Sequence, residues 1–312
     1  MSRTNKLPGY GHKARSFLKW AGGKGQLLSQ IESHLPTEIR QGKIKRYIEP
    51  FTGSGALFFH IAQTYPIEAF VLADLNPDLI LTYQVVQRDV MALIGTLEEL
   101  ARDFLALDKK GRECFYYRIR DRFNRDRFKL DYRRYSQRWI RRAAEIIFLN
   151  KTGYDGLFRL NSRGEFNVPM GRYKSPPILD AQNLRAASRL LQKVCFQAGD
   201  FEFIERWVDP QTLVYFDPPY RPISPTAHFR SYSAAQFDDH QQLRLAQFYR
   251  RLDSRGARLM LSNSDPQSID PDDDFFQQAY AGFRIVRVYA RRNINSVSSG
   301  RGSISELLIL NY

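Results

Sequence analysis

Cysteine and histidine are scarce in this chain of 312 residues, which contains two of the first and five of the second. Cys114 and Cys195 lie far apart, and neither has another cysteine or a histidine at the spacing of metal ligands. This argues against a disulfide framework and a zinc site. We therefore expect a protein that needs no metal and works in a reducing, cytoplasmic setting.

Long apolar runs are also missing. No stretch approaches the roughly 18 apolar residues of a membrane span, and residues 1–16 lack the apolar segment of a signal peptide. We expect no membrane partner, and a flexible lead-in over residues 1–16. A hydrophobic content of 43% still predicts a folded globular protein, and the length allows one large core with a second, smaller body.

Negative charge is sparse where positive charge is concentrated. The net charge is +14, and residues 101–174 contain 20 Lys and Arg against 9 Asp and Glu. Aromatic side chains are interspersed with these charges. Localised positive charge with rings is typical of a nucleic-acid-binding surface. A solvated basic helix face is the alternative.

Strand-like and helix-like patterns alternate over the first 85 residues and resume near residue 178. An apolar pair at 47–48 leads through two glycines into a helix that opens at Ala56, and a second strand over 70–73 ends at Asp74. This order predicts an α/β fold with a doubly wound, mostly parallel sheet. Further strands are predicted at 194–197, 213–216, 258–262, 283–289 and 306–310.

Between residues 85 and 177 the sequence is basic and predicts helices. Around Trp139 apolar residues recur at helical spacing, and the other helix face is expected to carry Arg138, Arg141, Arg142 and Glu145. The glycine-rich and asparagine-rich stretch that follows predicts loops and a hairpin. The simplest architecture is one α/β domain made of residues 17–84 and 178–312, interrupted by an inserted, mostly helical domain over residues 85–177.

The tetrapeptide Asp217-Pro218-Pro219-Tyr220 follows an apolar strand. Its prolines stiffen the turn and donate no backbone hydrogen bond, which leaves carbonyls such as that of Pro218 free to accept from a ligand. Two acceptors beside a flat ring suit a planar group with an exocyclic amino group, such as a nucleobase. A strand end with an Asx-type turn and a packed Tyr220 is the alternative.

Two glycines, Gly53 and Gly55, stand where a strand meets a helix and let a ligand approach the backbone. Asp74, at the end of the next strand, is placed to accept both hydroxyls of a ribose. Without a P-loop lysine or a dinucleotide G-x-G-x-x-G, these features favour a nucleoside-containing cofactor that lacks a large phosphate group. Trp20 and Lys24 predict either a terminal cap on the core or a cofactor lid.

Six motifs then occur in order: F-L-K-W-A-G-G-K at 17–24, E-P-F-T-G-S-G at 49–55, A-D-L-N at 73–76, G-L-F-R-L-N-S-R-G-E-F-N-V-P-M-G at 156–171, G-D-F at 199–201 and D-P-P-Y at 217–220. From residue 17 onward the chain resembles the Dam-type family of DNA adenine-N6 methyltransferases. The resemblance implies a seven-stranded methyltransferase sheet and an inserted, mostly helical DNA-recognition domain that contains a β-hairpin. It also implies S-adenosylmethionine as cofactor, double-stranded DNA as substrate with GATC as target, and a monomer of prokaryotic or phage origin.

The resemblance assigns cofactor contacts position by position. The residues that match those holding S-adenosylmethionine in the family are Trp20, Lys24 and Asp74. The loop around its methionine part is matched by Phe51, Gly53 and Gly55. Asp200 matches the acidic position near its adenine, and Asp217 also borders the cofactor.

The resemblance also implies residues for the target base and for DNA. Asp217 and Pro218 would accept hydrogen bonds from the target amino group and Tyr220 would stack on the base, which makes these three the implied catalytic residues. In the recognition loop, Arg159 matches the side chain that reads a guanine, Leu157 and Pro169 match apolar base contacts, and Tyr154 matches a wedge in the duplex. Asp155 stands where the family often has Asn, which leaves the local contacts and the target preference open.

Other interpretations remain. The first is methyl transfer to cytosine N4, RNA adenine or a protein amide, although Asp rather than Ser or Asn at position 217 disfavours the cytosine and amide versions. The second is a DNA-binding protein without catalysis. Arg291, with its neighbour Arg292, is either a second clamp on the DNA backbone or a solubilising residue beside a mobile loop.

Overall fold

The structure is a computed structural model that describes residues 12–20, 22–223, 237–291 and 303–312. Seven strands form one sheet, in the order β3-β2-β1-β4-β5-β7-β6. All neighbouring strands are parallel except at β7, which runs antiparallel to both of its neighbours. The predicted seven-stranded, mostly parallel sheet is therefore confirmed. The strands are β1 (Arg46–Glu49), β2 (Ala69–Asp74), β3 (Val194–Ala198), β4 (Thr212–Phe216), β5 (Arg258–Ser264), β6 (Arg284–Arg291) and β7 (Ser303–Leu310).

Helices cover both faces of the sheet, as strands buried on two sides require. All five residues of β4 are buried, and the apolar residues of the two sheet faces belong to two separate hydrophobic clusters. The helices are α1 (Leu28–Ser33), α2 (Thr37–Arg40), α3 (Ala56–Thr64), α4 (Pro77–Arg88), α5 (Val90–Leu105), α6 (Lys109–Asp126), α7 (Gln137–Thr152), α8 (Ala181–Leu191), α9 (Asp239–Asp253) and α10 (Phe275–Ala279).

Several helices begin at side chains that cap exposed backbone N–H groups. Asn76 accepts from two backbone N–H groups at the start of α4, where Pro77 occupies the first helical position. Asp108, Asp180 and Asp238 cap α6, α8 and α9 in the same way. Helix α3 opens at Ala56, as predicted, directly after the left-handed residue Gly55.

Helices α5, α6 and α7 lie between α4 and α8 in the chain and are packed into the sheet's core. One hydrophobic cluster contains residues of the sheet, such as Tyr47 and Phe70, together with Phe115 on α6 and Ile147 on α7. Helices α5, α6 and α7 thus pack against the sheet through a shared hydrophobic core. The treatment of this helical region as a separate domain over residues 85–177 stays a prediction, and the first of those boundaries lies inside α4.

Helix α7 departs from the expected two-faced pattern. Trp139 is buried and Arg138 is exposed, as expected, but Arg142 and Glu145 are buried as well. Their assignment to a face of exposed charge was wrong because each has an ionic partner inside the protein. Arg142 forms two hydrogen bonds to Asp78 of α4, at 2.8 and 2.7 Å, and Glu145 accepts from Arg122 of α6 at 2.5 Å.

The lead-in expected over residues 1–16 is described only from residue 12. Ala14 is buried, and its backbone N–H donates to Gln63 at 2.8 Å. Arg15 donates from its backbone to Asn183 at 2.9 Å. The segment just before residue 17 therefore packs against helices α3 and α8. Across the described ranges, no helix is long and apolar enough to cross a membrane.

The buried Arg142–Asp78 pair joins α7 to α4, and breaking it should destabilise the fold. We expect Arg142→Met to lower the free energy of unfolding by about 3–5 kcal/mol, because Asp78 would keep an uncompensated charge in the interior. Urea unfolding followed by circular dichroism measures the change. Arg138→Met, on the exposed face of the same helix, is the control and should change stability by less than about 0.5 kcal/mol.

The double variant Arg142→Met/Asp78→Leu separates the pair from the packing around it. Removing both charges should recover most of the stability that the single variant loses. Equal losses for Arg142→Met and Arg138→Met would show that the pair does not support the fold.

Candidate active site at the carboxyl edge of the sheet

Three carboxylates meet at the carboxyl edge of the parallel strands. Glu49 ends β1, Asp74 ends β2, and Asp217 directly follows β4. Strands β1 and β4 are neighbours from which the chain continues toward opposite ends of the sheet. Such a point of reversal leaves a crevice, where α/β proteins bind their ligands.

The glycine loop after β1 lines this crevice with bare backbone. Gly53 has φ +48°, and a Cβ on it would lie 2.9 Å from Cδ1 of Trp20. Gly55 has φ +63°, and a Cβ there would lie 2.9 Å from the Tyr83 hydroxyl. Both positions thus require glycine by conformation and by space. Trp20, which sequence reasoning placed at the cofactor or in a cap, packs on this loop.

Asp74 is tied to the same loop. Its two carboxylate oxygens accept from the backbone N–H groups of Gly53, at 3.1 Å, and Asn76, at 2.9 Å. Burial raises the pKa of Asp74, and these two hydrogen bonds counter part of that rise. Each oxygen keeps further acceptor capacity, because a carboxylate oxygen can accept more than one hydrogen bond.

Two apolar side chains beside Asp74 stay exposed. Leu75 is 68% exposed and Phe203 is 53% exposed. Phe203 packs against Gly199, where a Cβ would lie 2.7 Å from its ring, and the Gly199 N–H donates to the Asp74 carbonyl. Exposed apolar surface next to a carboxylate at a strand end suits a nucleoside, with its flat base on the apolar groups and its sugar at the acid.

Asp200 lies near this surface but already has a strong partner. Arg244 of α9 donates to both of its carboxylate oxygens, at 2.9 and 2.6 Å. Although burial acts to raise it, these bonds and one from the Glu202 N–H hold the pKa of Asp200 below its ordinary value. Phe51 packs nearby, with its ring 5.5 Å from the ring of Phe201.

A compact polar cluster surrounds the Asp217-Pro218-Pro219-Tyr220 turn. The Lys24 ammonium is buried and lies 2.9 Å from the Asp217 carboxylate. It also lies 4.5 Å from the centre of the Tyr220 ring and 3.9 Å from the Glu306 carboxylate. The Tyr220 hydroxyl donates to Glu306 at 2.6 Å. Lys24, which the resemblance matches to a residue that holds the cofactor, pairs in this structure with the protein's own Asp217.

Burial governs the electrostatics of this cluster. It raises the pKa of Asp217, and Lys24 opposes that rise while Glu306 adds to it. Glu49, which accepts from the Tyr47 hydroxyl at 2.7 Å, has a pKa raised by burial to about 8. Desolvation, with the nearby Asp217 carboxylate, outweighs the hydrogen bonds from Tyr47 and the Phe58 N–H, which act to lower this pKa.

The turn itself is held by amides from two neighbouring elements. Gln242 of α9 donates to the Pro219 carbonyl at 3.0 Å and accepts from Asn263 of β5 at 3.1 Å. Asn263 in turn accepts from the Arg221 N–H at 3.1 Å. The Pro219 carbonyl is engaged in this way, whereas the Pro218 carbonyl meets no hydrogen-bond donor among the described residues. The turn is therefore rigid and keeps an acceptor free.

The predicted DNA-reading residues share one exposed hairpin. Antiparallel bridges pair Gly153 with Met170 and Leu160 with Phe166, which confirms the predicted hairpin. The exposed residues Tyr154, Asp155, Arg159 and Pro169 lie along it, and Leu157 packs partly against the core.

Two backbone and side-chain features shape this hairpin. The Arg159 Nε donates to Asn167 at 2.9 Å, which orients the guanidinium while its terminal nitrogens meet no acceptor among the described residues. Asp155 has φ +52°, and it is the non-glycine residue with a left-handed backbone in the described part of the chain. Arg291 ends β6, but its side chain and all of Arg292 lie outside the described residues.

Asn150 links the hairpin to the loop at Lys19 and Trp20, beside the crevice. This residue of α7 is 1% exposed, accepts from the Lys19 N–H at 2.8 Å, and donates to the carbonyls of Lys19 at 2.8 Å and Gly156 at 2.6 Å. The Trp20 ring stacks on Phe158 of the hairpin, with ring centres 5.3 Å apart. The loop at Trp20 and the hairpin are thus one connected unit.

With this geometry established, comparisons with known proteins identify the family. The family model of D12 class N6 adenine-specific DNA methyltransferases matches residues 20–294. The chain belongs to this family. Its enzyme class is therefore adenine-specific DNA methyltransferase, and the sheet described above is the methyltransferase fold.

Similar proteins carry related names. The Type II methyltransferase M.MjaIII of Methanocaldococcus jannaschii is 50% identical over 301 residues, which span 96% of this chain and 100% of that protein. The DNA adenine methylase of Escherichia coli K12 is 35% identical over 298 residues, 96% of this chain and 95% of its own. A solved precorrin 8W decarboxylase covers 92% of this chain and 90% of its own at a TM-score of 0.34 and 9% identity, a likeness too weak to bear on fold or function.

Sequence reasoning missed four site residues. Glu306 and Arg244 contact predicted residues, but no motif marks them. Asn150 precedes the recognition motif by a few residues, and its burial with a full set of hydrogen bonds could not be read from the chain. Phe203 lies two residues after the G-D-F motif. Within the described ranges, no group of His, Cys, Asp and Glu has the geometry of a metal site.

The Asn150 link yields a test with minimal change of shape. In Asn150→Asp, an oxygen replaces the amide nitrogen and faces two carbonyl oxygens. We expect the free energy of unfolding to fall by at least about 1–3 kcal/mol, because two buried acceptors lose their donor. Thermal or urea unfolding measures the loss.

The matched control is Gln137→Glu, the same kind of change at the exposed first residue of α7. It should leave stability nearly unchanged. If both variants unfold alike, the Asn150 bonds do not hold the two loops together.

Proposed function

We propose that this enzyme transfers a methyl group from S-adenosylmethionine to N6 of an adenine that has been flipped out of duplex DNA, within the sequence GATC. The observation that carries the proposal is the shared crevice. The glycine loop, Asp74 and the rigid Asp217–Tyr220 turn border one edge of the sheet. The DNA-reading hairpin is bonded to the same edge through Asn150.

The residues present fit S-adenosylmethionine. Gly53 and Gly55 offer backbone that no side chain covers, and Asp74 has acceptor capacity for ribose hydroxyls. Leu75 and Phe203 offer apolar surface for an adenine ring. When bound, the cofactor supplies an electrophilic methyl group on a sulfonium centre. The carboxylates at this strand edge favour that positive charge.

The Asp217–Tyr220 turn fits the target amino group. Lys24 occupies one oxygen of Asp217, and the other has no partner among the described residues. That oxygen and the Pro218 carbonyl can each accept one amino proton, which draws the nitrogen toward tetrahedral geometry and frees its lone pair. The rate then comes from orientation and fixed electrostatics. Burial raises the pKa of Asp217, which also suits it to hold the proton that the amino group gives up.

Base flipping supplies the substrate to this turn. N6 lies inside the duplex, so the base must leave the stack at a cost of a few kcal/mol. The Lys24 ammonium lies over one face of the Tyr220 ring, so a flipped base would stack on the opposite face. Stacking there recovers about 1–3 kcal/mol, by analogy with aromatic side chains in single-strand binders. Tyr154, 52% exposed on the hairpin, is suited to fill the gap in the duplex.

Arg159 is the proposed reader of guanine in GATC. A guanidinium that donates twice to O6 and N7 of guanine is the commonest specific contact in the major groove. The bond to Asn167 holds Arg159 at its Nε and leaves the terminal nitrogens for a base. The remaining exposed Arg and Lys residues would contact phosphates and give salt-dependent affinity. The inserted-domain boundaries, the monomeric state and the cytoplasmic setting also stay predictions.

The main test follows label from S-adenosylmethionine into duplex DNA. We expect N6-methyladenine, chiefly in GATC, when methylated sites are mapped in DNA from a methylation-free host that expresses the protein. Asp217→Asn should lower the rate by at least about 10²-fold, the size of effect seen when one fixed electrostatic contact to a transition state is lost. Its affinity for DNA should stay within a few-fold.

Asp209→Asn is the matched control, because Asp209 lies just before β4, at the opposite end of the strand from Asp217. It should keep wild-type activity. Label in N4-methylcytosine, or tight binding without any label, would refute the proposed reaction; full activity of Asp217→Asn would remove Asp217 from the mechanism.

The reading of guanine can be tested separately. We expect Arg159→Ala to reduce discrimination against duplexes with a substituted guanine by about 5- to 160-fold, the equivalent of the 1–3 kcal/mol of a bidentate contact. Single-turnover methylation of GATC and of singly substituted sites gives the ratio. Arg163→Ala, exposed on the turn of the same hairpin, should weaken binding to all sites equally. An unchanged preference in Arg159→Ala would contradict the assignment.

A further inference from the structure

Glu306 reaches the active site because β7 runs against the other strands. The sheet places Glu306 opposite Ser264 of β5 and Val288 of β6. Since β7 is antiparallel, its first half lies at the edge where the parallel strands end. Glu306 is therefore beside Tyr220, although 86 residues separate them in the sequence.

The contacts of Glu306 are specific. Its Oε2 accepts from the Tyr220 hydroxyl at 2.6 Å, and the same oxygen lies 3.9 Å from the Lys24 ammonium. The side chain of Glu306 is 19% exposed and that of Lys24 is 4% exposed. Charge-assisted hydrogen bonds of this length are among the stronger ones in proteins. Partial burial strengthens the bond further.

Two contacts together fix the Tyr220 ring. The hydroxyl is anchored at one end, and the Lys24 ammonium lies 4.5 Å from the ring centre on one face. A tyrosine side chain has two rotatable bonds, and these contacts leave little freedom about either. A ring held in this way is a preformed stacking surface, so less ordering is needed when a base arrives.

Glu306 also divides the charge of Lys24 with Asp217. The ammonium lies 2.9 Å from Asp217 and 3.9 Å from Glu306. If Glu306 were neutral, Lys24 would act on Asp217 alone. Asp217 would then be a weaker acceptor for the target amino protons.

We propose that Glu306 is a positioning residue for methyl transfer, which holds the Tyr220 ring as the platform for the target base and shares Lys24 with Asp217. The inference rests on the proposed function of the Asp217–Tyr220 turn. A carboxylate that merely satisfies the Tyr220 hydroxyl would affect folding but not the steps of the reaction.

A double-mutant cycle tests the path through the hydroxyl. Glu306→Leu removes the acceptor, Tyr220→Phe removes the donor, and the third variant carries both changes. We expect Tyr220→Phe to lower the single-turnover rate at saturating DNA and S-adenosylmethionine by about 10-fold, and Glu306→Leu, which also loses the charge near Lys24, to lower it by at least as much. The double variant should be no slower than Glu306→Leu alone, since neighbours in one contact are not additive. Fluorescence of 2-aminopurine at the target position should show a matching loss of flipped base.

The sharing of Lys24 between Glu306 and Asp217 is tested separately with Glu306→Gln, which keeps a hydrogen-bond acceptor but removes the charge. The measurement is the dependence of the rate on pH. The charged and titratable side chains around Asp217 are those of Lys24, Glu306, Glu49, Tyr215 and Tyr220. The negative charge of Glu306 raises the pKa of Asp217. Removing that charge lowers the pKa of Asp217, so the acid limb of the rate against pH should move to lower pH. Glu49, with a pKa of about 8, titrates on the alkaline side and is common to both proteins.

Asp265→Asn is the matched control, since Asp265 accepts from Ser305 on the same strand and from Arg287 at 2.7 Å. It should keep the wild-type rate and acid limb. Melting temperatures of all variants are measured in parallel, and if Glu306→Leu does not fold, the shift in Glu306→Gln decides. Any of three results would overturn the proposal: additive effects in the cycle, a wild-type rate in folded Glu306→Leu, or an acid limb that does not move in Glu306→Gln. If the wild-type protein itself methylated no adenine, the proposed function would fail instead.

Discussion

The buried ammonium of Lys24 is the constraint around which the active site is organised. A charge that is 4% exposed is costly without a partner, so the carboxylates of Asp217 and Glu306 must stay beside it. These three residues come from the amino-terminal segment, the turn after β4, and β7. One electrostatic requirement therefore brings three distant parts of the chain to a single point. The position of Tyr220 follows from this arrangement, because its hydroxyl is bonded to Glu306 and its ring faces Lys24.

The same edge of the sheet is rigidly joined to the recognition hairpin. Asn150 bonds to Lys19 and Gly156, and the Trp20 ring stacks on Phe158. Farther from the edge, the Arg142–Asp78 pair and the shared hydrophobic cluster hold helices α5, α6 and α7 on the sheet. The hairpin and the Asp217–Tyr220 turn therefore belong to one continuous framework. The distance between them is set by buried contacts.

Much of this could be predicted from local patterns. Short continuous apolar runs predicted all seven strands, because the strands of a doubly wound sheet are buried on both faces. Glycines and prolines marked the loop and the turn, since both act through backbone conformation. Ionic partners across the fold could not be predicted in this way. Arg142 was expected on an exposed face, but Asp78, 64 residues earlier in the chain, draws it inside. Glu306 lies in a plain apolar strand that no motif marks.

The left-handed backbone of Asp155 has a consequence for how the enzyme family can diverge. Most side chains are strained by about 1–2 kcal/mol at such a φ, while Gly, Asn and Asp tolerate it. Exchange between Asn and Asp at this position is therefore cheap for the fold, whereas valine or isoleucine would distort the hairpin before any DNA was bound. The left-handed backbone at position 155 therefore limits which residue types this position can accept. Any effect of this position on target preference would have to arise within that short set of residues.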